Sequence, residues 1–286
     1  MYIFKKVSDL NWHLQAYRDK KRPVGFVPTM GALHQGHLSL VKRSLADNPC
    51  TVCSIFVNPT QFNESTDLAK YPRSPERDLY LLHEAGCDVV FMPTVAEVYP
   101  GGLESDSTVQ LDFGPLVRVM EGAHRPGHFD GVAQVVKRLI DIVQPDRMYM
   151  GEKDYQQLLI VRSMVQQLGL PVEVVGCPIV READGLAMSS RNQRLTAEQR
   201  QQAAVISDVL RQAVQWAAVH TPQEVEQKAL RALEEAGLKP EYFTLADPVE
   251  LSPIDHFPEK EEAVMAFVAA WAGEIRLIDN GLVKKD

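Results

Sequence analysis

The sequence predicts an α/β protein with a doubly wound parallel sheet, followed by a smaller α+β domain. Over the first 180 residues, short apolar runs rich in β-branched residues alternate with segments of helical periodicity. This alternation is typical of a Rossmann-like sheet that carries helices on both faces. Beyond about residue 183, two helical stretches are followed by strand-like runs, which indicates an α+β domain. We therefore predict one domain over residues 1–184 and a second over residues 185–286.

Each element of the first domain follows from a local pattern. The predicted strands are short apolar runs and cover residues 24–27, 51–57, 88–92, 147–150 and 172–180. The predicted helices cover residues 39–46, 75–85, 132–143 and 155–168. The third helix has the clearest pattern, because its apolar residues repeat at the i, i+3, i+4, i+7 spacing of one helix face.

The second domain differs from the first in both pattern and charge. Its predicted helices cover residues 197–219 and 222–236, and its predicted strands lie near 242–245, 263–269 and 274–278. Residues 221–286 hold 14 acidic and 7 basic residues, so nearly all of the net charge of −8 belongs to this region. Residues 1–220 hold 23 basic and 24 acidic residues and are therefore close to neutral, which leaves this part of the chain free to bind a small anion with a few well-placed cations.

The composition excludes several classes of function. A net charge of −8 argues against nucleic-acid partners and anionic membranes, which both need a basic surface. No apolar run approaches the roughly 20 residues that span a bilayer. The four cysteines, Cys50, Cys53, Cys87 and Cys177, are too few for a disulfide scaffold, and we expect buried reduced thiols in a cytoplasmic protein. A metal or redox role for the C-x-x-C of Cys50 and Cys53 is the alternative.

The first strand of the predicted sheet leads into the motif VPTMGALHQGHLSLV. His34 and His37 are three residues apart where a helix begins, so both imidazoles can lie on one face. A helix N-terminus offers free N–H groups and a positive dipole end, which suit a phosphate. The alternative is a glycine-rich turn in which one histidine caps the helix and the other is exposed. Neither a G-x-G-x-x-G nor a P-loop pattern is present.

Polar motifs also follow the other strands, at the edge where α/β sheets bind ligands. Asn58 and Gln61 lie in NPTQ, and GEKD holds Lys153 and Asp154 ahead of Gln157. The loop MSSRN offers two serines and an arginine to an anion. Between strands, MEGAHRPGHFDGV either supplies a further cation or is a mobile connection. Each motif alone fits an ordinary turn, a charged helix start or a surface loop equally well.

Together and in this order, the motifs resemble those of the pantoate–β-alanine ligase family. The resemblance rests on PTMGALHQGH, FVNPTQF, YPR, EGAHRPGHFDGV, QPD, GEKDYQQL, DGLAMSSRN and RLIDN, and it covers nearly the whole chain. It implies a nucleotidyltransferase-like α/β fold. It also implies a two-step ligation, in which pantoate and ATP form pantoyl adenylate and β-alanine then displaces AMP to give pantothenate.

The resemblance also implies a set of site residues. His34, His37 and Lys153 would be catalytic, with His37 a proton donor in the family and, on physical grounds, a group that stabilises charge on the transferring phosphate. Gln61 would bind both pantoate and β-alanine, and the other pantoate contacts would be Gln157, Asn58 and Arg125. The implied ATP-binding residues are Met30, Gly31, Ala32, Leu33, His34, Gln35, Gly36, His37, Gly151, Glu152, Lys153, Asp154, Val180, Met188, Ser189, Ser190 and Arg191.

One position departs from the family pattern. Family members often carry adjacent acidic residues after YPR, which are associated with magnesium, whereas this chain has YPRSPERD with Arg77 at one of those positions and Asp78 at the next. Magnesium is expected to accompany ATP, because it neutralises phosphate charge, but we assign it no protein ligand. The resemblance further implies a homodimer.

Three other functions remain as alternatives. One is an adenylyltransferase that activates a different acid, which a pyrophosphate-release assay over candidate acids would identify. Another is an RNA binder related to the aminoacyl-tRNA synthetases, although the sequence has no basic stripe for tRNA. The last is a nucleotide sensor without catalysis, and the acid-binding residues Gln61 and Gln157 argue against it.

Overall fold

The computed structural model describes residues 1–62, 68–69, 71–103, 111–258 and 262–284. The chain divides into two compact units. The first consists of Met1–Phe113, Arg125–Glu152 and Gln157–Pro178, and the second of Gly114–His124, Lys153–Gln156 and Ile179–Asp286. Two short internal segments thus belong to the same unit as the C-terminal part of the chain. The boundary after residue 184 stays a prediction.

A six-stranded parallel sheet forms the centre of the first unit. Its strands are β1 (Tyr2–Phe4), β2 (Val24–Thr29), β3 (Cys50–Ile55), β4 (Val89–Phe91), β5 (Arg147–Gly151) and β6 (Glu173–Cys177). Their spatial order is β1-β4-β3-β2-β5-β6. Strands are therefore added to one side from β2 to β4 and to the other side from β5 to β6. This reversal creates a topological switch point between β2 and β5, the position where such sheets bind ligands. The predicted fold class is confirmed.

Helices connect these strands and cover the sheet. They are Val7–Arg18, Gln35–Asp47, Pro75–Glu84, Val95–Val98 and His128–Val143, and the helix Tyr155–Gln167 follows β5. In His128–Val143 the predicted apolar stripe is buried, including Val132, Val136 and Leu139. Buried side chains of β2, β3 and β4 pack with those of the adjoining helices, among them Val27, Val41, Cys53, Leu82 and Val90.

The first strand and helix were not predicted from the sequence. β1 is only three residues long, and Tyr2 and Ile3 are exposed, because it lies at the edge of the sheet beside β4. The helix Val7–Arg18 buries only Leu10 and Leu14. Short edge strands and sparsely apolar helices carry a weak periodic signal. β6 is shorter than the predicted strand and ends at Cys177, directly before Pro178.

The second unit contains an antiparallel sheet and two long helices. Strands β7 (Lys239–Ala246), β8 (Val264–Ala272) and β9 (Ile275–Lys284) pair in that order. The helices Ala197–Trp216 and Pro222–Glu235 begin at Thr196 and Thr221, each with a reciprocal capping box. Their apolar faces join the buried side chains of the sheet in one core, which gives the α+β arrangement that the sequence predicts.

All four cysteines are free and buried. Burial raises the pKa of Cys50 and of Cys87 to about 12, so neither forms a thiolate at neutral pH. Among the described residues, no helix is long and apolar enough to cross a membrane.

Candidate active site

The loop after β2 has an unusual backbone that is held by buried side chains. Gly31 and Ala32 both have positive φ, at 80° and 49°. The Gly31 N–H donates to Thr29 Oγ1 (3.2 Å), and the Thr29 hydroxyl donates to the Ser54 carbonyl (2.6 Å) on β3. The Ala32 and Leu33 N–H groups donate to the Asp78 carboxylate. The loop therefore leaves β2 along a fixed path towards the next helix.

His34 and His37 flank the start of the helix Gln35–Asp47. Their rings lie 4.0 Å apart between centroids, and both side chains are half-buried. The His34 N–H donates to His37 Nδ1 at 3.4 Å, so a neutral His37 ring carries its proton on Nε2. The N–H groups of the first helical turn and the positive end of the helix dipole also favour an anion at this position. The predicted pair of imidazoles is thus brought together at the switch point.

The turn after β3 holds two more predicted residues. Gln61 lies in the single 3-10 turn Pro59–Gln61, and its Nε2 lies 2.8 Å from Met30 Sδ in the β2 loop. Asn58 is only 1% exposed. Its Oδ1 accepts from the Tyr99 hydroxyl (3.0 Å), and its Nδ2 donates to Thr60 Oγ1 (2.9 Å). The structure therefore shows Asn58 as a support for this turn.

The start of the helix His128–Val143 supports the same turn from the other side. His128 Nδ1 lies 2.9 Å from the Gln61 carbonyl oxygen, to which it donates when that nitrogen is protonated. Gly131 allows the close approach, because a Cβ atom there would lie 2.4 Å from the Thr60 carbonyl oxygen. The packing role of this motif was not predicted from the sequence, although its three glycines are a signal of close backbone contact. Arg125 precedes the helix and is half-buried.

The predicted residues after β5 fall in both units. Gly151 ends β5 and Glu152 follows it in the first unit, where Gln157 is half-buried on the helix Tyr155–Gln167. Lys153 and Asp154 belong to the second unit. There Lys153 Nζ lies 3.5 Å from Asp154 Oδ1, and the Lys153 carbonyl accepts from Asn280 Nδ2 (2.9 Å).

The remaining predicted residues lie on one loop of the second unit. The Met188 N–H donates to the Val180 carbonyl (3.0 Å), and Ser189 Oγ accepts from the Arg191 N–H (3.3 Å) at the start of a 3-10 turn that includes Ser190. Arg181 anchors the base of this loop. Its guanidinium donates to both carboxylate oxygens of Asp279, at 2.6 and 3.1 Å.

A buried ionic cluster in the second unit was not predicted. The Arg276 guanidinium donates to Glu121 (2.6 and 2.7 Å) and to Glu241 (2.9 Å), and the Tyr242 hydroxyl donates to Glu121 (2.8 Å). Burial, followed by the Glu121 charge, raises the pKa of Tyr242. Although burial acts to lower the pKa of Arg276, its bonds to Glu121 and Glu241 raise it. The only sequence signal was that Glu121 and Arg276 lie within motifs that resemble the family.

The donor set of the described residues does not fit a bound magnesium ion. Within the described ranges, no three histidine, cysteine or acidic side chains are grouped so that they could hold a metal. Asp78 is 1% exposed and its oxygens already accept backbone N–H groups. A magnesium ion usually keeps several of its water ligands, and a carboxylate so enclosed leaves them no room.

A doubly wound sheet with a histidine-bearing helix start at its switch point is an arrangement typical of α/β proteins that bind phosphate groups. The family model described as pantoate-beta-alanine ligase matches residues 2–282 of the chain. A pantothenate synthetase from Bacteroides thetaiotaomicron is 50% identical over 281 residues, and the alignment covers 98% of each chain. A pantothenate synthetase from Flavobacterium psychrophilum is 45% identical over 285 residues, with 98% of this chain and 99% of that one covered.

Solved structures agree with these sequence matches. The pantothenate synthetase of Thermus thermophilus superposes with a TM-score of 0.88 at 47% identity and covers 99% of both chains. The pantoate-beta-alanine ligase of Francisella tularensis, complexed with beta-gamma ATP and β-alanine, superposes with a TM-score of 0.83 at 31% identity, covering 100% of this chain and 99% of that one. The chain belongs to the pantoate–β-alanine ligase family. The predicted family and enzyme class, an ATP-dependent ligase of pantoate and β-alanine, are confirmed.

Proposed function

We propose that this ligase joins (R)-pantoate to β-alanine through a pantoyl adenylate. A pantoate carboxylate oxygen attacks the α-phosphorus of ATP, and the bond to the leaving pyrophosphate breaks. The β-alanine amine then attacks the acyl carbon, the amide bond forms, the bond to AMP breaks and the amine loses a proton. The adenylate step is needed because a free carboxylate is a poor acyl donor, whereas AMP leaves readily.

The observation that carries this proposal is the pair of imidazoles at the start of the helix Gln35–Asp47. His37 presents its Nε2–H as a hydrogen-bond donor, because its Nδ1 accepts from the backbone. Donors fixed in place stabilise charge that develops on a transferring phosphate, since they need no reorganisation during the reaction. We assign His34 and His37 to the phosphates and the residues from Met30 to His37 to ATP binding.

Neutral amides are assigned to the two acid substrates. Gln61 and Gln157 can donate to a carboxylate and exchange hydrogen bonds with hydroxyl groups, so we assign both to pantoate and Gln61 to β-alanine as well. The contact of Gln61 with Met30 supports this, because it sets the amide beside the loop assigned to ATP. Arg125 and Asn58 are assigned as further pantoate contacts.

The other proposed ATP contacts lie in the segments that follow β5 and β6. We propose that Lys153 binds phosphate, that Asp154 accepts from the ribose and that Val180 lines the adenine pocket, with Gly151 and Glu152 beside the nucleotide. Met188, Ser189, Ser190 and Arg191 are assigned to the phosphates, because backbone N–H groups, hydroxyls and a guanidinium all donate to anions. Magnesium is proposed to arrive bound to ATP, and no residue of this chain is assigned as its ligand.

The test is an assay in which ATP, pantoate and β-alanine are combined and then omitted in turn. We expect pyrophosphate release with ATP and pantoate alone, and sustained AMP release only when β-alanine is added. Pyrophosphate release with other hydroxy acids but not with pantoate would instead identify a different adenylyltransferase. AMP release that does not depend on β-alanine would contradict the second step.

We also propose that the protein is a cytoplasmic homodimer. The proposal rests on family membership and on the four free cysteines, which suit a reducing compartment. Light scattering of the purified protein is expected to give twice the mass of the 32.0 kDa chain, and a monomer mass at assay concentrations would contradict it. Fractionation of expressing cells tests the compartment.

A further inference from the structure

Asp78 is a buried carboxylate that binds the backbone of the proposed ATP loop. It lies in the first turn of the helix Pro75–Glu84 and is 1% exposed. Its Oδ2 accepts from the Ala32 N–H at 2.9 Å, and its Oδ1 accepts from the Leu33 N–H at 2.7 Å. The Ser74 hydroxyl also donates to Oδ1, at 3.3 Å. Three donors from two segments thus converge on one carboxylate.

The backbone at Ala32, which Asp78 binds, has an unfavourable conformation that needs support from its surroundings. Ala32 has a φ of 49°, in the left-handed region that a residue with a Cβ avoids. Such a conformation persists where the surrounding structure fixes it. The Ala32 N–H bond to Asp78 is made at this strained residue, two positions before His34 in the sequence. The carboxylate therefore fixes the direction in which the chain enters the helix of the two histidines.

The Asp78 carboxylate lies so close to Gly31 that only a glycine fits at position 31. Gly31 has a φ of 80°, and a Cβ atom placed there would lie 2.9 Å from Asp78 Oδ2. A side chain at position 31 would therefore be strained by the backbone conformation and would also push the carboxylate away from the Ala32 N–H. The carboxylate approaches the loop as closely as a glycine permits, which indicates that its partner is the loop itself.

The neighbouring residues argue against a metal at Asp78. Glu76 and Arg77 on the same helix are exposed, so neither shares the buried position of Asp78. Arg77 also supplies a cation where a second acidic ligand would be needed. Among the described residues, Asp78 belongs to no group of three histidine, cysteine or acidic side chains that could hold a metal. Its carboxylate already accepts from three protein donors, whereas magnesium needs several further oxygen ligands.

We propose that Asp78 is a positioning residue of the ligase, which sets the loop of His34 and His37 through backbone hydrogen bonds and does not ligate magnesium. This inference rests on the proposed function, because it concerns the loop assigned to ATP. Asp78 acts through Ala32 and Leu33 and touches no reacting atom. The orientation of the two imidazoles relative to the phosphates therefore depends on Asp78.

The test compares Asp78→Asn with Glu76→Gln, which removes an exposed carboxylate from the same helix turn. Asparagine keeps the shape but turns an amide N–H₂ towards one of the two backbone N–H groups. We expect single-turnover adenylate formation to fall by about tenfold to a hundredfold in Asp78→Asn, the scale of a small misplacement of catalytic groups. The affinity for pantoate and the magnesium concentration that gives half-maximal rate are expected to stay unchanged. Glu76→Gln should match the wild type.

Two results would overturn the inference. In the first, Asp78→Asn needs more magnesium to reach half of its maximal rate, and excess magnesium restores the wild-type rate, as expected for the loss of a metal ligand. The other comes from hydrogen exchange in the wild type, which needs no variant to fold. The Ala32 and Leu33 amides are expected to exchange slowly with or without magnesium, and fast exchange, or protection that needs magnesium, would contradict the role. Exchange remains informative if the wild type fails to use pantoate, so failure of the proposed function is distinguishable.

Discussion

The two histidines at the start of the second helix illustrate how a residue gains its role from the backbone beside it. His37 Nδ1 accepts from the His34 N–H, which leaves Nε2–H as the donor of a neutral ring. An isolated histidine in a loop has no such fixed tautomer. The two rings lie with their centroids 4.0 Å apart at a helix start that suits an anion, and in the proposed reaction His37 is the oriented donor.

Replacing His37 tests this orientation. We expect His37→Ala to slow single-turnover formation of pantoyl adenylate by about a hundredfold, the cost of losing one transition-state donor. His37→Gln should recover part of the rate, because the glutamine amide can donate from near the Nε2 position. The matched control is His83→Ala, which removes an exposed histidine. A wild-type rate in His37→Ala would remove this side chain from the chemistry.

The elements that carry the candidate site are supported by residues far away in sequence. Asp279 and Asn280 are neighbours on β9 and both are 3% exposed. Asp279 binds Arg181 at the base of the loop that leads to Met188, and Asn280 binds the Lys153 carbonyl. One short stretch of the last strand therefore supports two segments that the family resemblance assigns to ATP.

Weakening the pair of Arg181 and Asp279 is expected to cost stability. Asp279→Asn should lower the free energy of unfolding by about 2 kcal/mol, less than the value for a fully buried pair because Arg181 is partly exposed. The control is Asp208→Asn, whose partner Arg211 is largely exposed, and its cost should stay below about 0.5 kcal/mol. Urea unfolding followed by circular dichroism measures both. Equal effects of the two substitutions would contradict a special role for the buried pair.

The contact between the helix His128–Val143 and the turn Pro59–Gln61 gives a second prediction at this scale. A Cβ atom at position 131 would lie 2.4 Å from the Thr60 carbonyl oxygen and 3.0 Å from the Gln61 Cα. Gly131→Ala should therefore displace the turn and weaken pantoate binding by about tenfold or more, since a small shift of positioning groups has large effects. Isothermal titration with pantoate measures this.

The control for Gly131→Ala is Lys137→Ala on the same helix, which removes only an ion pair with Asp141. It should leave pantoate affinity unchanged. Wild-type pantoate affinity in Gly131→Ala would show that the turn tolerates the extra atom, and would remove the close packing as the reason for a glycine here.

For the whole molecule, the buried thiols report on global unfolding. Burial raises the pKa of Cys50 and Cys87 to about 12, so thiolate is scarce at pH 8, and the same burial excludes reagents. We expect iodoacetamide to label none of the four cysteines in the native protein, and to label all four once denaturant unfolds it. Mass spectrometry of the intact chain counts the labels. Fast labelling of Cys50 and Cys53 without denaturant would favour a redox or metal role for their C-x-x-C spacing.

Much of the first unit could be predicted from the sequence, because parallel strands buried on both faces are apolar throughout and their ends are marked by polar motifs. The position of His34 and His37 followed from that rule. The edge strand β1 did not, since it is short and exposed. The contact partners of Asp78 and Gly131 also could not be predicted, because Leu33 and Thr60 are 45 and 71 residues away in the sequence. Periodicity reports the local chain and carries no information on such pairs.

Gly114–His124 belongs to the same unit as the C-terminal sheet, and this limits where the coding sequence can be cut without separating parts of that unit. Glu121 from that segment neutralises Arg276 and accepts from Tyr242, and Gln156 donates to the carbonyls of Leu116 and Val119. A polypeptide that started at residue 185 would keep Arg276 but lose Glu121 and Gln156. The antiparallel sheet is thus unsuited to transfer between proteins as a C-terminal domain. Recombination would have to carry the coding sequence of all three segments of this unit together.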